Sequence, residues 1–378
     1  MNPSEGCRKS TAKLPRLELS RPDRTGEELI GRIAEAWPPE QWHGVHVALA
    51  VSGGCDSMAL LRLILQLKQQ HGGSGRLFVL HVNHQLRGDQ SEADAAWLQQ
   101  QCATLDVELD LLSGCPTDLA EQHGDGIEAA ARQLRYQLLT EAAQRRGARY
   151  LATGHTWDDQ VETVLFRLLR GSGLRGMGGI PPARPLSESC TLVRPLLDCR
   201  REELAVFLKC IEQSFRHDST NDDVRLTRNR LRHEMLPLMR EHFQHDVGEA
   251  LVHLSQQARA AQALIDPLAE RLLGDCLVES PSDVADSAGS QQLVLETGPL
   301  AQQEPYLVCE MVRLAWRQAG LPQQAMTYPW WQKLAQLAQQ STSSEVLNLP
   351  GNIRAELLDQ RLVLRWSHDR SGFLSVEC

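Results

Sequence analysis

The chain of 378 residues is 42% hydrophobic with a net charge of −9, the balance of a soluble globular protein with room for two or three domains. That charge argues against nucleic-acid binding over the whole surface, no apolar run reaches the length of a membrane span, and the first forty residues lack the apolar stretch of a secretory signal. Ten cysteines without a Cys-x-x-Cys pair offer neither a zinc ribbon nor an iron–sulfur site and fit reduced thiols in the cytoplasm.

Residues 1–40 read as an N-terminal extension, basic through Arg8, Lys9, Lys13, Arg16, Arg21 and Arg24, and closer to a frayed tail than to a transit peptide. Val45 to Val51 then has the β-branched, apolar run of a buried parallel strand and stops at Ser52-Gly53-Gly54. Behind Asp56 and Ser57, which are good helix caps, Met58, Leu60, Leu61, Ile64 and Leu65 recur at helical spacing. A strand, a glycine turn and a helix aim free backbone N–H groups and a helix dipole at one spot, which makes an anion site. No lysine follows the glycines, so the Walker loop is excluded.

Further strands are expected at Arg76–His84, Val107–Leu112, Arg149–Thr153 and Thr191–Leu197, with helices from Ser91, over Ile127–Ala143 and over Arg201–Ile211. Alternation of this kind predicts an α/β fold, a parallel five-stranded sheet with helices on both faces. Ligands of such sheets sit beyond the carboxyl ends of the strands, where Ser52, His81 to His84 and Gly154-His155 all fall.

Gly154-His155-Thr156-Trp157-Asp158-Asp159-Gln160-Val161-Glu162-Thr163 runs from a strand end into a helix. Helix capping accounts for Asp159 with Glu162 but not for His155. A histidine and carboxylates at a strand end can hold metal, a substrate amine or a developing charge. Arg170 to Pro182 contains five glycines and reads as a mobile loop, a lid or a linker. Residues 132–240 carry 18 arginines and one lysine against 13 acids, an excess of six positive charges that leaves the remainder at −15. Arginine suits phosphate and stacked bases, which hints at a polyanionic partner. Arg228 and Arg232, one helical turn apart in a helical segment, read alone as a solvated face. After a Ser-rich linker at Glu279–Gln292, helices at Gln303–Gln318 and Pro329–Gln339 and strands at Val346–Leu349, Ile353–Leu358 and Leu362–Trp366 outline a small α+β domain. The expected division is 1–40, 41–215, 216–290 and 291–378.

Ser52-Gly53-Gly54-Cys55-Asp56-Ser57 resembles the pyrophosphate loop of the N-type ATP pyrophosphatases. In the same order follow His81-Val82-Asn83-His84-x-Leu86-Arg87, Arg132-x-x-Arg135-Tyr136, Gly154-His155-x-x-Asp158-Asp159-Gln160-x-Glu162-Thr163, Arg170-Gly171-x-Gly173, and Asn221 with Arg228-Asn229-x-Leu231-Arg232. Together they closely resemble the tRNA(Ile)-lysidine synthetase family over about residues 45–240. The departures are Cys55, where another apolar residue is usual, and Leu226, where an aromatic is expected.

The resemblance implies ATP and Mg²⁺ as cofactors, with L-lysine and tRNA(Ile) bearing a CAU anticodon as substrates, and is compatible with a homodimer and no membrane. ATP would adenylate the 2-keto oxygen of the wobble cytidine, and the lysine ε-amine would displace AMP at carbon 2. It implies a nucleotide site at Ser52, Gly53, Gly54, Cys55, Asp56, Ser57 and His81, with Mg²⁺ on Asp56. Catalytic roles fall to Asp56, Arg132, His155, Asp158, Asp159 and Glu162, and tRNA contacts to Arg170, Arg175, Arg228, Asn229 and Arg232. The small C-terminal domain resembles the substrate-binding domain of longer synthetases, whose further terminal domain is not apparent. The nearest alternative, a pyrophosphate-loop tRNA thiolase acting on a pyrimidine, calls for Cys-x-x-Cys pairs or a catalytic cysteine. An amidotransferase such as GMP synthetase calls for a glutaminase segment, and none is expected before the loop, while a non-catalytic nucleotide sensor would not need the His155 constellation.

Overall fold

The computed structural model describes residues 24–83, 88–116, 127–217, 227–243, 246–279, 290–323, 325–340 and 345–367. His84, Leu86, Arg87, Asn221 and Leu226 of the sequence motifs lie outside them. The chain divides into two compact units, Met1–Phe166 with Gly179–Val252 and Arg167–Gly178 with His253–Cys378.

The first unit is built on a sheet of β1 Val47–Ala50, β2 Leu77–Asn83, β3 Glu108–Ser113, β4 Tyr150–Thr153, β5 Ala183–Pro185 and β6 Thr191–Val193. The order is β3-β2-β1-β4-β6-β5, parallel throughout except for β5, which pairs antiparallel with β6. The five expected strands are present, and β5 is an addition at the edge, where Pro185 has no N–H to offer a further neighbour. Alternation along β1 sends Val47 and Leu49 to one face and Ala48 to the other. On the first face they meet α1 Arg24–Ala36, α2 Cys55–His71 and α6 Arg201–Cys210 through Leu29, Ile33, Met58, Leu61 and Phe207. On the second, α4 Ile127–Arg145 covers the sheet with Tyr136, Leu139, Ala142 and Ala143. Each fully buried aliphatic side chain contributes roughly 1.5–3 kcal/mol. The helices α3 Asp89–Thr104 and α5 Trp157–Leu169 complete the winding.

Two expectations are corrected here. Residues 24–36 are not part of a tail: Leu29, Ile30 and Ile33 fall on one face of α1 and are buried, and Arg32 pairs with Glu203 at 2.6 Å. The supposed linker at Glu279–Gln292 is flanked by strands, β7 Leu277–Glu279 and β8 Ser290–Glu296, which are antiparallel partners.

These two join β9 Val346–Leu349, β10 Ile353–Leu358 and β11 Arg361–Ser367 in an antiparallel sheet of order β7-β8-β11-β10-β9. Leu293, Leu295, Leu347, Leu349, Ile353, Ala355, Leu362 and Leu364 alternate onto one face and pack with α8 Pro305–Gln318 and α9 Tyr328–Gln339. The long helix α7 Val247–Cys276 adds Leu272, Leu273 and Cys276 to this core. Among the described residues no helix is long and apolar enough to cross a membrane.

Inside the second unit Glu310 is fully buried and is held by Arg313 at 2.7 Å, by Gln262 at 3.2 Å and by Arg175 at 3.5 Å. Removing the carboxylate leaves these cationic and amide donors without their acceptor. Glu310→Ala is expected to destabilise the second unit by about 3–5 kcal/mol, and Glu310→Gln by less, in urea unfolding followed by tryptophan fluorescence. Equal stability of Glu310→Ala and the parent chain would contradict this.

Candidate active site

β1 and β4 are adjacent and in register, Ala50 opposite Thr153, so the turns that follow them open into the same crevice. β2 and β3 extend from β1 in one direction, β4 and β6 in the other. This reversal is where doubly wound sheets bind ligands.

Ser52 to Ser57 make the first turn. Gly53 has φ 91°, in the left-handed region, and a Cβ there would meet the Trp97 ring at 3.4 Å. Ser57 locks the turn, its Oγ accepting the Ser52 N–H at 3.2 Å and donating to the Gly54 carbonyl at 3.0 Å. Because α2 starts at Cys55, the unpaired amides of its first turn and its positive dipole end face the crevice. A second brace comes from residues 213–216. The Arg216 N–H donates to the Gly53 carbonyl at 2.9 Å, while its guanidinium pairs with Asp94 at 3.2 Å and lies over Trp97. His81 Nδ1 meets the Val51 carbonyl at 2.8 Å, so it donates there, and burial holds its pKa below the usual value. The ring thus fixes the end of β1 as a neutral imidazole.

Gly154 is the hinge of the second turn. A Cβ at this position would stand 3.1 Å from the Asp56 carbonyl carbon and oxygen, so a side chain here would force the start of α2 to give way from β4. His155 Nδ1 lies 2.9 Å from Thr153 Oγ1, and burial, with Arg194, Arg132 and Arg228 nearby and only Asp159 opposing, pushes its pKa down to about 3. It is a neutral hydrogen-bonding group at physiological pH. Asp159 caps α5 by accepting the Thr156 N–H at 2.8 Å. Burial raises its pKa, but Arg228, His155 and Arg201 outweigh that and bring it to about 2.

Around these acids stand three guanidinium groups. Glu162, 1% exposed, receives Arg228 at 2.9 Å on one oxygen and Arg232 at 2.6 Å on the other. Arg228 reaches Asp159 as well, at 3.1 Å. Arg228 lies in the short helix Thr227–Arg230 and Arg232 in the π-helical turn Leu231–Met235 that follows it, ahead of the helix Leu236–His242. Arg201 links the acids to the loop: its Nε bonds Asp56 at 2.9 Å, its other nitrogens lie 3.4 Å from Asp159 and 3.9 Å from Glu162, and its backbone N–H donates to Asp158 at 2.7 Å. Burial raises the Asp56 pKa against the opposing charge of Arg201. A cavity beside this cluster is lined by Asp158, Val161, Glu162, Arg201, Arg232, Leu236 and Arg240.

The structure therefore gathers Asp56, His155, Asp158, Asp159 and Glu162 at one place, with Arg132 close enough to depress the His155 pKa. Arg132 is stacked on Tyr136, and its buried Nε has no hydrogen-bond partner among the described residues. Four of the five residues expected at a tRNA surface have partners or burial inside the protein. Arg228 and Arg232 lie on the acids of the site, Asn229 is buried, and Arg175 pairs with Asp266 and Glu310 in the second unit. A buried carboxylate needs close cationic partners, and which guanidinium groups it takes is something sequence spacing does not reveal. Arg170 alone is exposed. Sequence reasoning missed Arg201, although an arginine in the first turn of a helix, at the wrong end of the dipole, was a signal that something else holds it there.

The loop, the switch point and the adjacent acids define a nucleotide-binding enzyme of the PP-loop class, and the sequence pattern of the PP-loop domain matches residues 29–239. A tRNA(Ile)-lysidine synthase of Symbiobacterium thermophilum is 33% identical over 330 residues, covering 87% of this chain and 67% of that protein. Those of Rhodopirellula baltica and of a Nostoc species are 32% and 31% identical, covering 81% and 86% of this chain and 83% and 92% of those proteins. The chain belongs to the tRNA(Ile)-lysidine synthase family of ATP-dependent ligases. In fold alone it is also similar to a U34-tRNA thiolase of Methanococcus maripaludis, with a TM-score of 0.50 and 16% identity over 62% of this chain and 78% of that one.

Gly154→Ala should leave the fold intact yet weaken ATP binding roughly 10–100-fold, because the new methyl must push the start of α2 away from β4. Calorimetric titration with ATP measures it, and an unchanged affinity would contradict the packing argument.

Proposed function

We propose that this chain joins L-lysine to carbon 2 of the wobble cytidine of a tRNA(Ile) with a CAU anticodon, changing its reading from AUG to AUA. The observation that carries the reading is an acid pair with one member 1% exposed, Asp159 and Glu162, set beside a pyrophosphate loop and neutralised by arginine. Such a pair suits a substrate ammonium held next to a nucleotide.

The loop amides of residues 53–57 and the N-terminus of α2 would cradle the phosphates of ATP. Asp56 fits a magnesium site, since among the described residues its Oδ1 is buried without a partner while Oδ2 accepts from Arg201. Bound there, Mg²⁺ would offset charge on the phosphates. Arg132, with its Nε unpaired, is suited to the α-phosphate as the cytidine oxygen attacks and pyrophosphate leaves. Asp159 and Glu162 would receive the lysine ammonium. At a pKa of about 2 Asp159 binds the charge of the ammonium rather than its proton. The exposed Arg170 and the C-terminal unit remain the candidates for tRNA contact, and the soluble substrates place the reaction in the cytoplasm. A thiolase-like use of Cys55 is disfavoured, because burial and Asp56 push its thiol up to about 11.

Incubation with ATP, radiolabelled lysine and either tRNA(Ile) or tRNA(Met) tests the reading. Label is expected in tRNA(Ile) only, and Asp56→Asn should lower its incorporation about 100-fold or more without unfolding the chain. No lysine transfer by the parent chain, or parental turnover by the variant, would overturn it.

A further inference from the structure

In the cluster described above, three guanidinium groups face three carboxylates, Asp56, Asp159 and Glu162. A further cation cannot join Asp159 and Glu162 without displacing an arginine. Arg228 and Arg232 hold Glu162 at 2.9 and 2.6 Å, whereas Arg201 touches Asp159 and Glu162 only at 3.4 and 3.9 Å. Its one short contact, 2.9 Å, is with Asp56. The backbone of Arg201 is pinned by Asp158, but its side chain is 28% exposed and lies in the first turn of α6, where the helix dipole repels a cation. Of the three, Arg201 is held most weakly on the amine side, and it is the one in contact with the loop.

We propose that Arg201 is a catalytic residue that exchanges partners during the reaction. When the nucleotide arrives, its guanidinium leaves Asp56 for the non-bridging oxygens of the α-phosphate, freeing Asp56 for a divalent cation and vacating Asp159 and Glu162 for the lysine ammonium. This rests on the ligase reading above. In the first step the cytidine O2 forms a bond to the α-phosphorus, and the bond to the bridging oxygen breaks with its electron pair leaving on pyrophosphate. In the second, after the ammonium proton has passed to solvent, the amine lone pair forms the bond to carbon 2 and the carbon–oxygen pair departs with AMP. The same α-phosphate oxygens gather charge in both steps, and Arg201 meets them in both.

Arg201→Ala and Arg201→Lys in the full chain provide the test. The first readout needs no turnover: Mn²⁺ binding to the nucleotide-free protein, followed by the paramagnetic resonance of free Mn²⁺, should tighten about tenfold or more in Arg201→Ala as Asp56 is released. The second is tRNA-dependent exchange of pyrophosphate into ATP without lysine, expected to fall about 100-fold in Arg201→Ala and to recover most of its rate in Arg201→Lys. Thermal unfolding separates this loss from misfolding, and should the alanine variant unfold, the lysine variant carries both readouts, its exchange reduced less than tenfold and its Mn²⁺ affinity raised. Unchanged Mn²⁺ affinity, or exchange by Arg201→Ala at the parental rate, overturns the proposal. Failure of the ligase reading would instead show as a parent chain that makes no lysidine, and the Mn²⁺ comparison would still judge the Arg201–Asp56 pair.

Discussion

A carboxylate with 1% of its side chain exposed cannot stand alone, and Glu162 is the constraint on which the rest of the site depends. Taking an ion out of water costs several kcal/mol, which only close opposite charges offset. Arg228 and Arg232 supply them from a segment beyond the sheet, one on each oxygen, Arg228 from a short helix and Arg232 from the π-helical turn that continues it. Asp159, one helical turn earlier on α5, shares the same cations and is driven to about 2. Asp159 is thereby kept ionised, and both acids are held in place at the expense of being occupied.

The second determinant is topological. The reversal of winding between β1 and β4 puts the pyrophosphate turn and the Gly154 turn next to each other, and the missing side chain of Gly154 lets them touch. Arg201, from the start of α6, then bridges the two turns by reaching Asp56 on one and Asp159 on the other. The two turns consequently share one cation, so a ligand on one side changes the charge balance on the other.

Much of this is legible in the sequence, and what is not has physical reasons. The strands and the loop show because β1 packs on both faces and its apolar run is unbroken from Val47 to Val51, while glycines mark the turn. β5 is hidden by its length, three residues, and by a proline that reads as a breaker. β8 begins in a polar, Ser-rich stretch, and its pairing with β11 is a long-range choice that local pattern does not encode. α1 is concealed by the basic residues before it. At the site, acids and glycines are recognisable by spacing, but which arginines serve them is not, since Arg201, Arg228 and Arg232 are up to 73 residues away from the acids of α5 they pair with. Charge pairing across such distances belongs to the fold, and it turns residues that resemble a phosphate-binding face into partners of buried carboxylates.

The central claim is that arginine reserves the acids until nucleotide draws one guanidinium away. Calorimetric titration of L-lysine into the full chain, with and without Mg²⁺ and α,β-methylene ATP, tests it most directly. The account predicts that nucleotide tightens lysine binding about tenfold or more, and that lysine tightens nucleotide binding by the same factor. A lysine affinity that is the same in both titrations would contradict it.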